Sequence, residues 1–422
     1  MKTYKLSFIA VALLAVLACP FAMLAQNGET SAYSMFGYGS LSDFSSSTQR
    51  SMGGVGYAMN NGRQINVKNP ASYAHCDSLT FLFDFGLDFT GMKMNENGTS
   101  GKSFGGGLDY VTMQFPLSKK VGGSIGLLPY SSVGYSFGST SDDNTLGDSR
   151  SGSGGINMLY VGLSYMPFKN FSIGANVSYN FGTITHDTYA TSSGSVSTQA
   201  LYERVLEIRD WGIQFGVQYT IDLNERNSLT LGAVYIPEKS FHGTALGRQY
   251  DVQNDATTAI DTVSNVSMKD RFSSPSTYGG GLAWNFDKRL TVAADFTYQN
   301  WGSADYYNLE NFESMKFDDR WKVAVGASFT PNTRGNYLQR MTYRIGGHFN
   351  HDYIMVLDNN VKDYGVSVGF GLPTPSNKTI INIGFEYKHR VAYPTSLITE
   401  NYFNITVGVN FNEMWFWKNK IK

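Results

Sequence analysis

Nine consecutive residues near the end of this chain alternate in character without a break. Phe403, Ile405, Val407, Val409 and Phe411 are apolar, and Asn404, Thr406, Gly408 and Asn410 between them are small or polar. Successive side chains of a β-strand point to opposite faces, so this run makes a strand with one apolar and one polar face. The same pattern recurs over 81–89, 171–181, 211–219, 290–298, 321–329 and 381–387. Counting alternation gives about fourteen strand candidates, the first near residue 80. A soluble sandwich alternates too, so the fold class turns on what accompanies the strands.

The start of the chain points to export. Lys2 and Lys5 precede an apolar run over 6–18, small residues follow, and Ala25-Gln26 offers a cleavage point. Residues 1–25 therefore read as a secretory signal peptide. Cys19 offers a rival reading, an acylated lipoprotein, but Val16-Leu17-Ala18 fits a lipobox poorly. No later apolar stretch approaches the roughly 18 residues of a membrane helix, and closed barrels are the other structure that satisfies every backbone group in lipid. Composition agrees. Charged residues are 16%, aromatics 14%, and there are 45 glycines, which suits a wall with aromatic girdles and charge confined to lumen and loops. The net charge of −1 gives no footing for nucleic acid. Once Cys19 leaves with the signal, Cys76 stands alone, so neither an internal disulfide nor a cysteine zinc site is expected.

The connectors decide between sandwich and barrel. Short links at 116–120, 167–170, 222–227 and 287–288, with slightly longer ones at 331–340 and 373–378, alternate with polar segments. Those segments, at 93–103, 140–154, 185–197, 239–274, 303–319, 352–362 and 391–401, read as long loops. Outer-membrane barrels show this asymmetry because their periplasmic turns are short and their outer loops long. The expectation is an all-β, transmembrane antiparallel β-barrel of about fourteen strands over 80–412, with an even strand count and both termini periplasmic. Residues 26–79 carry little apolar periodicity and are expected to plug the lumen, a disordered periplasmic tail being the alternative. Residues 413–422, with Trp415, Phe416, Trp417 and Lys418, form an aromatic and basic extension that anchors at the inner interface or docks a partner.

Two stretches support a resemblance. Arg50-Ser51-Met52-Gly53-Gly54-Val55-Gly56-Tyr57-Ala58, followed by Asn69-Pro70-Ala71-Ser72, resembles the N-terminal hatch of FadL-type outer-membrane transporters, most of all members from the Bacteroidota. That resemblance covers the whole layout and implies passive uptake of long-chain fatty acids and other hydrophobic compounds. Gly53, Gly54, Gly56, Asn69, Pro70 and Ala71 would then be hatch residues, although Ser72 stands where the family often has glycine. The third strand contains Pro129, which donates no ladder bond and marks a kink or bulge, with Gly122, Gly123 and Gly126 before it. The resemblance implies a lateral gate there, at Gly126, Pro129, Tyr130 and Ser131. The bland reading ends the strand at Leu128.

Signals for chemistry are poor. The six histidines show no metalloprotease spacing, Gly101-Lys102-Ser103 lacks the earlier P-loop glycine, and position 59 is Met where a dinucleotide fold needs a third glycine. No enzyme, cofactor or metal is expected. Lumen-facing charges are expected at Asp84, Asp88, Asp295, Lys322, Arg344, Glu386 and Lys388. Lys322 and Arg344 are candidates to hold a carboxylate, against the reading in which lumen charges pair and fix the plug. The expected partners are outer-membrane lipid and hydrophobic small molecules, for a monomeric barrel. The alternative function is a non-transporting subunit or scaffold of a larger outer-membrane protein assembly or secretion complex, which brings in other outer-membrane proteins.

Overall fold

The computed structural model describes residues 31–77, 80–96, 98–140, 146–192, 198–252, 259–306, 315–375 and 378–414. Its first strand, β1 (Ser40–Leu41), belongs to an N-terminal segment that also holds a helical turn, α1 (Ser47–Arg50). The wall begins with β2 (Thr80–Glu96), β3 (Thr99–Pro116), β4 (Val121–Thr140), β5 (Leu146–Phe168), β6 (Phe171–Ser192), β7 (Thr198–Asp222) and β8 (Asn227–Ile236). Four elements then stand aside from it: β9 (Lys239–Ser240), β10 (Gly243–Val252), β11 (Ala259–Lys269) and β12 (Ser273–Ser274). The wall resumes with β13 (Thr277–Phe286), β14 (Leu290–Gln299), β15 (Arg320–Phe329), β16 (Thr342–Val356), β17 (Asn359–Pro373), β18 (Thr379–Tyr393) and β19 (Thr399–Met414).

Fourteen antiparallel strands thus close a barrel. β8 pairs with β13, and β19 returns to β2 with Phe411 opposite Phe83 and Ile405 opposite Phe89. Closure removes the terminal edges of the sheet, the requirement for strands in lipid, and leaves two local seams in the wall. The alternation of β19 sorts as expected: Phe403, Ile405 and Phe411 are exposed, while Thr406 and Asn410 are buried toward the lumen. Outward aromatics form two belts. Phe168, Phe171, Tyr219 and Phe411 lie toward the end with tight turns, and Tyr179 with Trp211, Tyr235 with Tyr278, and Tyr387 with Phe403 lie toward the other. On β7 the belts are Tyr219 and Trp211, a span of about nine residues, which suits a tilted strand crossing a bilayer core. Among the described residues no helix is long and apolar enough to cross a membrane.

The expected loops need correction. Of the segments 93–103, 140–154, 185–197 and 352–362, the described residues are largely strand carried beyond the aromatic belt, while 97, 141–145 and 193–197 lie outside the described residues. β4, β5, β6 and β7 run for 20, 23, 22 and 25 residues, whereas β8, β13, β14 and β15 have 10 each. Outside lipid neither face of a ladder must be apolar, so alternation fades while hydrogen bonding continues. The β16–β17 turn is tight because Leu357 and Asp358 both take positive φ, the twist a two-residue hairpin needs. β10 pairs with the projecting part of β7, and β11 pairs with β10, so 239–274 is mostly sheet as well.

The N-terminal segment fills the lumen. Its first described residue, Ser31, donates to Glu400 (2.8 Å) at the hairpin end of β19, and the segment descends toward the tight turns. Near the hairpin end it meets a packed apolar cluster that includes Tyr38, Phe241, Phe272, Trp301 and Tyr353, each at most 2% exposed. The Trp301 and Tyr353 rings pack at a tilt of 30° with centroids 4.4 Å apart. Further down, Ile65, Tyr73, Leu82, Tyr110 and Tyr160 make a second cluster. Residues 1–30 and 415–422, with the expected signal peptide, both termini and most of the aromatic extension, lie outside the described residues.

Candidate functional site

Small inward residues of the wall receive the plug. Gly326 and Gly346 lie against Met52, Gly369 and Gly384 against Ser51, Gly408 against Ser47, and Gly174 and Gly216 against Pro70. At each of these a Cβ would collide with the N-terminal segment, which is why so many off-face positions are glycine. Within the segment, Gly53 and Gly54 take φ of +73° and +88°, which a β-carbon disfavours. Gly56 N donates to Asp295 (2.7 Å), and Gly53 N donates to Ser367 (2.9 Å). Asn69 is fully buried: its side chain accepts from Ala71 N (3.0 Å) and donates to the Tyr57 carbonyl (2.7 Å) and the Val217 carbonyl (3.2 Å). Pro70 opens a 3-10 turn, Pro70–His75, and Ser164 donates to the Ala71 carbonyl. Gly53, Gly56, Asn69, Pro70 and Ala71 therefore touch the wall, and the Gly54 carbonyl accepts from Lys68 within the segment.

Charge makes the second grip. Asp43 is clasped by Arg320 (2.9 Å) and by Lys322. Arg50 reaches Asp109 (2.7 Å) and Asp88 (3.6 Å) on the wall. Arg390 and Asp352, both 5% exposed, form a buried pair beside the plug, and Lys68 meets Asp295 (3.5 Å). Burial alone would raise the carboxyl pKa of Asp43, but Lys322 and Arg320 outweigh it and hold the group well below the usual carboxylate range. Lys322 is thus engaged by Asp43, and Arg344 donates to Asn382 (2.9 Å) and lies outside the cavity described next. The structure does not bring those two together as one anion site. Asp43, Arg50, Arg320 and Arg390 carry the clasp, and no periodicity marks them in the sequence.

Beside the plug lies a cavity of about 760 Å³. Arg50, Asp109, Lys322, Asp363, Glu386 and Arg390 are among its lining residues, so it is polar and highly charged. It reaches a gap in the wall. β3 pairs with β2 from Thr99 to Gln114, but with β4 only from Val111 to Pro116. Along 99–110 the other edge of β3 has no ladder partner among the described residues. The cause lies in β4, which does not end at Leu128 but continues to Thr140 with a register shift at Pro129 and Ser131. There the plug takes over as partner: Ser40 pairs with Ser132, Leu41 with Ser131, and Ser42 N donates to the Tyr130 carbonyl (2.9 Å). The cavity is lined by Gly106, Gly107, Leu108 and Asp109 on one lip and by Pro129, Ser131 and Ser132 on the other. Gly126 lies just below, still paired with Thr112, and Tyr130 bonds Ser274 (3.1 Å).

A second seam parts the wall between β7 and β8. β7 pairs with β8 only from Phe215 to Asp222, and with β10 from Gln199 to Ile208. Between them Asp210, 2% exposed, accepts from Trp211 N (2.7 Å), from Lys239 Nζ (2.7 Å) and from His242 N (3.3 Å). Lys239 also donates to the Trp211 carbonyl (2.6 Å). Behind this seam is a small pocket of about 80 Å³, lined by Phe44, Tyr130, Met158, Tyr160 and Phe241 among others. No cluster among the described residues has the makings of a metal site.

Fold and site together define a plugged fourteen-strand β-barrel of the outer-membrane type. The chain belongs to the BamG family, whose description matches residues 7–422. Among solved structures it is similar to a Pseudomonas aeruginosa FadL homologue, with 14% identity, a TM-score of 0.64 and coverage of 88% of this chain and 99% of that one. The Pseudomonas putida toluene transporter TodX has 18% identity, a TM-score of 0.58, and coverage of 90% and 99%. The Ralstonia pickettii toluene transporter TbuX has 14% identity, a TM-score of 0.56, and coverage of 87% and 97%. No curated protein matches the chain. At these identities the likeness is one of fold.

Proposed function

We propose that this protein is a plugged outer-membrane barrel that serves as a subunit or scaffold of a larger outer-membrane protein assembly. The observation that carries the reading is the lumen. A packed aromatic cluster lies toward the hairpin end, and beneath it the free space is lined by ion pairs that clasp the plug. A hydrophobic solute gains about 0.8 kcal/mol per buried CH₂ only on entering apolar surroundings, and this cavity withholds that gain. Membership of the BamG family, whose name hints at barrel assembly, supports the same reading. In it residues 1–25 are a cleaved export signal, residues 26–79 are a fixed plug, and the tight turns face the periplasm.

A second reading has one specific observation behind it. The gap between β3 and β4 lies at Pro129, Tyr130 and Ser131, where passive passage of a hydrophobic compound into the bilayer would need it. Two of the fold neighbours, TodX and TbuX, are toluene transporters. One experiment separates the readings. The full-length protein, affinity-tagged in its native membrane, is extracted in mild detergent and examined by native mass spectrometry. Stoichiometric outer-membrane protein partners support the subunit. A lone barrel carrying hydrophobic small molecules, with uptake of labelled toluene lost on deletion, supports transport and overturns the first reading.

A further inference from the structure

We propose that the edge of β3 along residues 104–108, which has no ladder partner among the described residues, is a docking edge for an extended segment of a partner polypeptide, which adds to it as a strand. The edge is built into the fold. β4 cannot extend its pairing to β3, because Pro129 lacks an N–H, the register shifts at Ser131, and the plug strand β1 already occupies Ser131 and Ser132. The plug thus uses strand addition on one lip of the seam, while the backbone of the other lip has no ladder partner among the described residues.

Backbone and side chains on the open lip suit a strand more than a small molecule. Gly105, Gly106 and Gly107 put three residues without side chains in a row, and a Cβ at Gly107 would meet nothing within 4 Å. Phe104 and Leu108, at 82% and 61% exposure, stand on either side as apolar anchors. Phe104 is opposite Gly91, which is itself opposite Phe403 of the aromatic belt, so the open edge starts at the belt and runs down into the lipid level. In lipid each unsatisfied peptide group costs several kcal/mol, and an added strand satisfies a whole row of them. The lip has lipid on one side and the charged cavity on the other, so the segment that fits alternates apolar and polar residues. The inference goes beyond the subunit reading and stands on the edge alone.

The test uses the full-length protein in detergent and a nine-residue peptide alternating leucine and serine, with lysine at each end and a fluorescent tag. Anisotropy should show saturable binding. N-methylation of alternate amides on one edge of the peptide should weaken it about tenfold, as loss of a few hydrogen bonds predicts, while methylation of the other set leaves it unchanged. A benzophenone in place of Leu108 should crosslink the peptide, and one in place of Val366 should not. Absence of binding, insensitivity to both methylation sets, or equal crosslinking at both positions overturns the proposal. Failure here with stoichiometric partners retained in the membrane extract would leave the subunit reading intact.

Discussion

The wall parts in two places near the same aromatic belt, and the two seams satisfy their freed backbone by opposite means. Between β7 and β8 the chain bridges itself with side chains: Asp210 takes the Trp211 N–H, and Lys239 takes the Trp211 carbonyl. Between β3 and β4 no comparable side-chain bridge is seen among the described residues. The plug strand pairs with one lip, and a charged cavity that can hold water lies behind the other. A seam closed by side chains has an apolar pocket behind it; a seam left open has a polar one. The difference teaches that the plug is part of the wall at the open seam, so whatever holds the plug also sets that lip.

The strongest way to break the comparison is at the clasp. Asp43→Ala leaves Arg320 and Lys322, whose side chains are 7% and 9% exposed, without their carboxylate, and breaking such a buried cluster costs about 3–5 kcal/mol. The expected result is a clear drop in the midpoint of heat-induced gel-mobility shift, with new protease sensitivity in residues 40–45. A midpoint unchanged would show that the plug does not depend on the clasp. Acid probes the same contact. The folded Asp43 carboxyl titrates below its unfolded value, so its stabilisation is fully present above about pH 4 and is lost as pH falls through the folded pKa. Asp43→Asn should therefore flatten the acid limb of stability and leave the profile between pH 5 and 7 parallel to the wild type.

The side-chain bridge is worth less. Asp210→Ala strands the Trp211 N–H and removes the partner of Lys239, but Lys239 is 41% exposed and water replaces part of what it loses. A cost of about 1–2 kcal/mol is expected. The sharper readout is local: amide exchange should accelerate at Gly212 and Ile213 and stay unchanged at Ser131 and Ser132. Exchange that rises at both seams alike would mean that the two are one cooperative unit.

Much of the barrel was legible because lipid imposes a rule on sequence. Where a strand crosses the bilayer its outer face must be apolar, so Phe403 to Phe411 or Trp211 to Tyr219 announce themselves by alternation alone. Beyond the belt that rule lapses, and 93–103 and 352–362 read as loops although they are paired strands. Pro129, Gly53 and Gly54 were legible for a different reason, since each marks a backbone state that few residues tolerate. The clasp was legible only on its wall side: Asp88, Asp295 and Lys322 were expected as lumen charges that pair and fix the plug, and they meet Arg50, Lys68 and Asp43, which carry no such signal. Asp43 and Arg320 are 277 residues apart, and only closure of the barrel around the plug makes them neighbours. Gly326 and Gly346 have nothing in the sequence to set them apart from other small off-face residues, and only the fold brings Met52 against them.

The finest distinction between a wall position that holds the plug and one that lines the open lip is a single pair of glycine substitutions. At Gly326 a Cβ would run into the backbone of Met52, so Gly326→Val must push the plug away or fail to admit it. At Gly107, on the open lip, a Cβ meets nothing within 4 Å, and valine also suits an extended backbone. Gly107→Val should therefore shift stability by no more than about 0.5 kcal/mol, the ordinary range for a surface site. The heat-shift midpoint of this variant should match the wild type, while that of Gly326→Val should fall well below it. A loss at Gly107 as large as that at Gly326 would mean that something of this same chain fills the open lip, and the asymmetry between the two seams would vanish.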